Sequence, residues 1–192
     1  MIQPVYADSG LFGTKEVKSN DLSIFPKWTG MIKRMQSDNV VDERQCVAET
    51  SYCYYRKWKA FIASIKPLPR LEQLRRVQDY ANEVRYIVDP INWQVPDYWA
   101  TPRQFFMKDG DCEDYAIIKF MTLRELGFSN QNMRIVVLND ENLKALHAVL
   151  TVRIGSTTYM LDNQIDEVVS ESRIHHYRPI YSINETSWWR HI

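Results

Sequence analysis

Residues 108–120, KDGDCEDYAIIKF, set one cysteine, Cys112, among four carboxylates: Asp109, Asp111, Glu113 and Asp114. The reactive form of cysteine is the thiolate, and neighbouring negative charge raises the thiol pKa and disfavours that form. An acidic turn is also a poor place to bury a structural thiol. A reactive Cys112 therefore needs a base to take its proton and something to offset the acids.

A cysteine nucleophile works with a base, and the base with a group that orients it. The chain has four histidines: His147, His175, His176 and His191. Only His147 falls in a strand-like run, LHAVLTV; the other three lie in a C-terminal stretch without clear periodicity. The pair Gly155-Ser156 between LHAVLTVRI (146–154) and TTYML (157–161) reads as a hairpin turn. With those two residues as the loop, Ile154 opposes Thr157 and Val149 opposes Asp162. Strand side chains alternate, so His147 shares a face with Val149 and with Asp162. Diagonal neighbours lie about 7–8 Å apart at Cα, which an imidazole spans. A three-residue loop without a bulge would instead place the two on opposite faces. Cys112, His147 and Asp162 are thus candidates for nucleophile, base and orienter. A lone cysteine and a lone strand histidine equally suit a core without chemistry.

The elements around these residues follow from periodicity and breakers. Helices are expected from Trp28 to about Gln45, over 54–65, over 71–87, and from Cys112 to Leu126. Asp111 is placed as N-cap of the last of these and Gly127 just past its end. A helix start there favours a thiolate in its first turn through the helix dipole. Strands are expected at 133–138, 146–154 and 157–161. Residues 1–20 look irregular. The stretch 88–102 carries three prolines and reads as a loop whose Trp93, Tyr98 and Trp99 either line a cleft or plug the core. Helices followed by a helix and antiparallel strands make an α+β fold in one domain spanning 1–192.

The 24 basic residues balance 24 acidic ones, which argues against nucleic-acid binding through bulk charge. No run is apolar enough for a membrane span, and the N-terminus lacks a signal-peptide pattern. The chain then reads as cytosolic or as a mature exported protein. Zinc, dinucleotide and P-loop signatures are missing, and DGDCED lacks EF-hand spacing. Cys46 and Cys53 lie seven apart, too far for a disulfide along one helix, so a bridge needs a turn between them; two reduced thiols are the alternative.

The segment DYWATPRQFFMKDGDCEDYAIIKFMTLRELGF (97–128), followed by LHAVLTV and YMLDNQIDEV (159–168), resembles the bacterial transglutaminase-like cysteine proteases. The resemblance runs from about Trp28 onward and is densest at GDCEDYA and LDN. It implies a papain- or transglutaminase-like core, with Cys112 as nucleophile, His147 as base and Asp162 as orienting acid. It implies a calcium requirement, with Asp111 and Glu113 as ligands; Asp114 and the NDEN loop (139–142) are further candidates. It implies a periplasmic endopeptidase that cuts the N-terminal region of a large adhesin at paired alanines, so dispersing biofilm. Its expected partner is a LapD-type inner-membrane receptor that responds to cyclic di-GMP and sequesters the protease. A transglutaminase-type acyl transferase and a non-catalytic receptor-binding module are the competing functions. A periplasmic location would also favour a Cys46–Cys53 bridge.

Overall fold

A computed structural model describes residues 10–38 and 51–192. The helices are α1 (Pro26–Asp38), α2 (Ser51–Ile65), α3 (Arg70–Asn82), α4 (Asp89–Asn92), α5 (Pro102–Lys108) and α6 (Cys112–Glu125). The strands are β1 (Glu16–Ser19), β2 (Met133–Asp140), β3 (Ala145–Ile154), β4 (Thr157–Leu161), β5 (Val169–Ser170), β6 (Tyr177–Ile183) and β7 (Trp188–His191). All seven join one antiparallel sheet in the order β1-β7-β6-β2-β3-β4-β5. The fold is α+β, as expected.

Helix α6 is buried from Asp114 to Leu123, so it is walled on all sides rather than on one stripe. It packs on β3 and β2 below and against α3 and α5. The main core gathers Trp28, Leu74, Phe105, Phe120, Leu123, Ile135, Leu150 and Val152 between helices and sheet. Two buried indoles are matched there: Trp58 Nε1 donates to Thr122 Oγ1 at 2.8 Å and Trp28 Nε1 to the Asn184 carbonyl at 3.1 Å. A second cluster of Val136, Leu138, Val149, Met160, Val169 and Tyr177 forms apart from it. Alternate residues of β2 and β3 feed the two clusters, so both faces of these central strands are apolar.

Several expected boundaries move. Described α1 ends at Asp38, and the rest of the expected 28–45 helix lies outside the described residues, as does Cys46 and with it the Cys46–Cys53 pairing. Cys53 is disulfide-bonded and Cys112 is free. α3 ends at Asn82, not near 87, because Tyr86 pairs with Gly110 in a short parallel bridge, with the Ile87 N–H on the Gly110 carbonyl at 2.9 Å. The proline-rich stretch contains α4 and leads into α5, which starts with a capping box between Thr101 and Gln104 and Pro102 in the first turn. Trp99 is buried and meets Trp28 edge-on at 6.2 Å, so it plugs the core. Trp93 and Tyr98 stay half-buried against each other, with Lys108 over Trp93 and Arg34 over Tyr98.

Four strands carry no clear signal in the sequence: β1, β5, β6 and β7. In β6 the reason is visible. Pro179 interrupts the strand, and the ladder with β2 shifts there, Val137 facing Tyr181 and Leu138 facing Pro179. The bulge lets an internal strand accept a residue without an N–H.

Candidate active site

The β3–β4 register matches the expectation: Ile154 faces Thr157 and Leu150 faces Leu161. Asp162 is the next residue, where β4 leaves the ladder. Its Oδ1 lies 2.8 Å from His147 Nε2, and both side chains are buried. Asp162 is further fixed by the Gln164 N–H on Oδ1 at 2.9 Å and the Tyr177 hydroxyl on Oδ2 at 2.7 Å. From α3, Gln78 and Asn82 donate side-chain N–H groups to its backbone carbonyl, at 2.6 and 3.0 Å. Burial raises the Asp162 carboxyl, but His147, Gln164 and Tyr177 outweigh it and hold it below its usual value. A carboxylate in that state accepts from Nε2–H and leaves the lone pair on His147 Nδ1. Gln164 Nε2 sits 3.4 Å from Nδ1, the longest contact of the set.

Cys112 opens α6 and is half-buried. The backbone N–H of Ala148, the residue after His147, faces its sulfur, which sets the thiol beside the histidine strand. The thiol itself donates to Glu113 Oε2 at 3.4 Å, not to the imidazole. Burial, then the Glu113 and Asp111 charges, push the thiol well above its ordinary value, against a small lowering by the Ala148 N–H. The structure thus brings His147 and Asp162 into contact and Cys112 to the adjoining residue. His175 and His176 take no part in this group. His191 is tied at the far side of the sheet to Ser182 and Thr14.

The carboxylates do not cap the helix. Asp111 occupies the N-cap position but makes no side-chain capping bond; its Oδ2 accepts from the Asp89 N–H at 3.2 Å. Asp114 Oδ1 accepts from the Ala100 N–H at 2.7 Å, and Asp89 Oδ2 accepts from the Tyr98 N–H. Each acid therefore has one oxygen held by backbone. The other oxygens, Asp89 Oδ1, Asp111 Oδ1 and Asp114 Oδ2, are buried without a hydrogen-bond partner. One carboxylate oxygen from each of the three acids lies within 4.8 Å of the others. Burial, joined by the neighbouring acids, pushes Asp89 up to about 6, Glu113 up to about 10 and Asp114 well above its usual value. Buried carboxylate oxygens without partners, on three acids that come together, are costly alone and suit a hard divalent cation. Gly110 makes the approach possible, since a Cβ there would lie 2.6 Å from Asp114 Oδ2.

The expected ligands Asp111 and Glu113 share one candidate group with Cys112, and each also falls in a group with Asp89. Asp111 and Asp114 form one group with Asp89. Glu113 groups with Asp111 and Cys112, and with Asp89 and Asp97. The NDEN loop serves itself: Asp140 Oδ1 accepts from the Asn142 and Leu143 N–H groups, and Glu141 pairs with Arg178. Asp89 and Tyr177 were not legible as site residues. Asp89 is 22 positions from Asp111, and Tyr177 lies in a strand whose pattern Pro179 obscures. The only signal for Asp89 is an aspartate opening a turn before Pro90.

A free thiol at a helix start, a buried His–Asp pair on the neighbouring strands and an acidic cluster beside the thiol are the parts that cysteine hydrolase chemistry would use. The chain belongs to the bacterial transglutaminase-like cysteine proteinases, whose family model matches residues 37–192. It is similar to LapG of Legionella pneumophila, with 28% identity, a TM-score of 0.69, and coverage of 83% of this chain and 85% of that one. It is equally similar to that LapG solved with calcium bound, covering 87% of it, and after EGTA treatment, covering 84%. No curated protein matches the chain in sequence.

Proposed function

We propose that this protein is a calcium-dependent periplasmic cysteine endopeptidase of the LapG kind. In this reading it cuts the N-terminal region of a large surface adhesin at paired alanines and so promotes biofilm dispersal. A LapD-type receptor sequesters it when cyclic di-GMP is high. The observation that carries the activity is the buried His147–Asp162 pair at 2.8 Å, set beside the helix that Cys112 opens. Family membership and the likeness to LapG support the class. The adhesin, the receptor and the compartment rest on the likeness to LapG alone.

In the proposed chemistry, His147 Nδ1 takes the Cys112 proton as the sulfur attacks the scissile carbonyl. The imidazolium then gives that proton to the leaving amine, leaving a thioester. His147 next takes a proton from water, which attacks the thioester; the carboxylic acid departs and the thiol is restored. Asp162 holds the ring so that Nδ1 faces outward and stabilises the imidazolium. Asp89, Asp111 and Asp114 would hold calcium, with Glu113 at its edge. The bound ion supplies positive charge that offsets the acids around the thiol.

The test is incubation with the N-terminal fragment of a neighbouring giant adhesin, with calcium or with EGTA, read by intact mass. Two products in calcium, none in EGTA, and loss of cleavage when the paired alanines are made bulky are expected. A crosslinked adduct would mark a transglutaminase, and an unchanged mass in calcium a binding module.

A further inference from the structure

Gln164 touches both members of the buried pair. Its backbone N–H donates to Asp162 Oδ1 at 2.9 Å, and its side-chain Nε2 stands 3.4 Å from His147 Nδ1. The turn that carries it is fastened from α3. Gln78 Nε2 donates to the carbonyls of both Asp162 and Ile165, and Asn82 Nδ2 donates to that of Asp162. The backbone of the turn is thus held, while the Gln164 side chain is exposed and the imidazole it touches is buried.

With Nε2–H given to Asp162, Nδ1 carries the ring's one lone pair, and the Gln164 amide faces it with an N–H. The proposed chemistry needs that same lone pair for the thiol proton. Here the thiol donates to Glu113 Oε2 at 3.4 Å instead. Base and nucleophile are each turned to a third group. One lone pair takes one good hydrogen bond, so amide and thiol compete for Nδ1. The amide is the group able to leave. It ends an exposed side chain, its contact is long, and the hold on Asp162 runs through the Gln164 backbone, which a swing of the side chain leaves intact.

We propose that Gln164 is a positioning residue whose side-chain amide covers Nδ1 of His147 and gives way as a polypeptide segment enters beside it. This inference rests on the triad reading of the site, but its first test does not need cleavage. Gln164→Met keeps the length of the side chain and the backbone N–H to Asp162 but loses the amide donor. In that variant, with calcium present, NMR of protein labelled with nitrogen-15 at histidine and assigned with His147→Gln should show the Nδ1 signal of His147 moved downfield. A ring nitrogen that stops accepting a hydrogen bond moves in that direction, and the Nε2 signal should stay, since Asp162 still holds it. On the adhesin fragment, KM should fall about fivefold with kcat unchanged, because the entering chain no longer displaces one hydrogen bond. A glutamine that only fills the surface would leave the Nδ1 signal and KM where they were. If Gln164→Met does not fold, the same two measurements on Gln164→Ala decide. An unmoved Nδ1 signal in a folded variant overturns the proposal, and so does a moved signal with unchanged KM. If the wild type cleaves nothing, the protease reading falls, and the Nδ1 signal alone then upholds or overturns the cover.

Discussion

At the scale of single residues, the site separates groups that react from groups that hold them. Cys112→Ala should abolish cleavage while the fold persists, since a small side chain at a helix start is tolerated. His147→Ala should be nearly as dead, because it removes the imidazole that Asp162 holds as the base. Asp162→Asn should cost less than either, as orienting residues do, and Tyr177→Phe less again. The Tyr177 hydroxyl supplies one of three hydrogen bonds to a carboxylate that keeps the other two. That ranking, read as kcat/KM on the adhesin fragment, puts Tyr177→Phe at about a few-fold loss, in keeping with one net hydrogen bond. A Tyr177→Phe variant as inactive as His147→Ala would mean the tyrosine touches substrate. Lys119 adds a prediction in stability. Its folded-state value is lowered to about 7, whereas an unfolded lysine stays near 10.4. Between those values the unfolded chain holds a proton that the folded chain lacks, so stability rises with pH through that window. Lys119→Met should lose this slope in denaturant titrations at pH 7, 8, 9 and 10. An identical slope in both proteins would mean the lysine is not buried as an ammonium-disfavouring site.

At the scale of elements, the His–Asp pair depends on the β3–β4 register. Ile154 faces Thr157 across Gly155, whose φ of +61 is a left-handed turn conformation that glycine adopts readily. One residue inserted between Gly155 and Ser156 should slip β4 by one position, turn Asp162 to the opposite face and abolish activity. A two-residue insertion, which restores the face, should recover part of it. Equal activity in the two insertions would detach the pair from the register. This register was legible because a short Gly-Ser turn and period-two alternation fix it without knowledge of the rest of the fold. The helix start at Cys112 and the left-handed Gly127 after α6, with φ of +82, were legible for the same local reason. What local sequence does not carry is long-range pairing. β1 joins β7, and β6 joins β2, across separations that no window spans. The capping role expected of Asp111 also failed locally. Its carboxylate is drawn to the Asp89 N–H, and Asp89 arrives from the turn after α3.

At the scale of the whole molecule, three separate segments converge on one side of the thiol: the turn carrying Asp89, the loop of Tyr98 to Ala100, and the start of α6. A cation held among Asp89, Asp111 and Asp114 would tie these segments together. Calcium should therefore raise Tm, EGTA should lower it, and magnesium should restore it less well, because a flexible multi-carboxylate site suits the larger ion. The triple variant Asp89→Asn, Asp111→Asn, Asp114→Asn should show no calcium-dependent rise, and thermal melts with and without the ion check this. A full calcium response in that variant would move the ion elsewhere. In the proposed chemistry Cys112 is a nucleophile whose acidic surroundings require a cation. Without one, burial and the Glu113 and Asp111 charges hold the thiol well above its ordinary value, so the thiolate forms only at high pH. The direct measurement is the rate of iodoacetamide alkylation of Cys112 across pH, by peptide mass, in calcium and in EGTA. Alkylation in calcium should be fast at neutral pH and should fall with its midpoint well below the EGTA curve, with His147→Ala slowing the calcium curve alone. Superimposable curves in calcium and EGTA, after confirmed removal of the ion, would contradict the account.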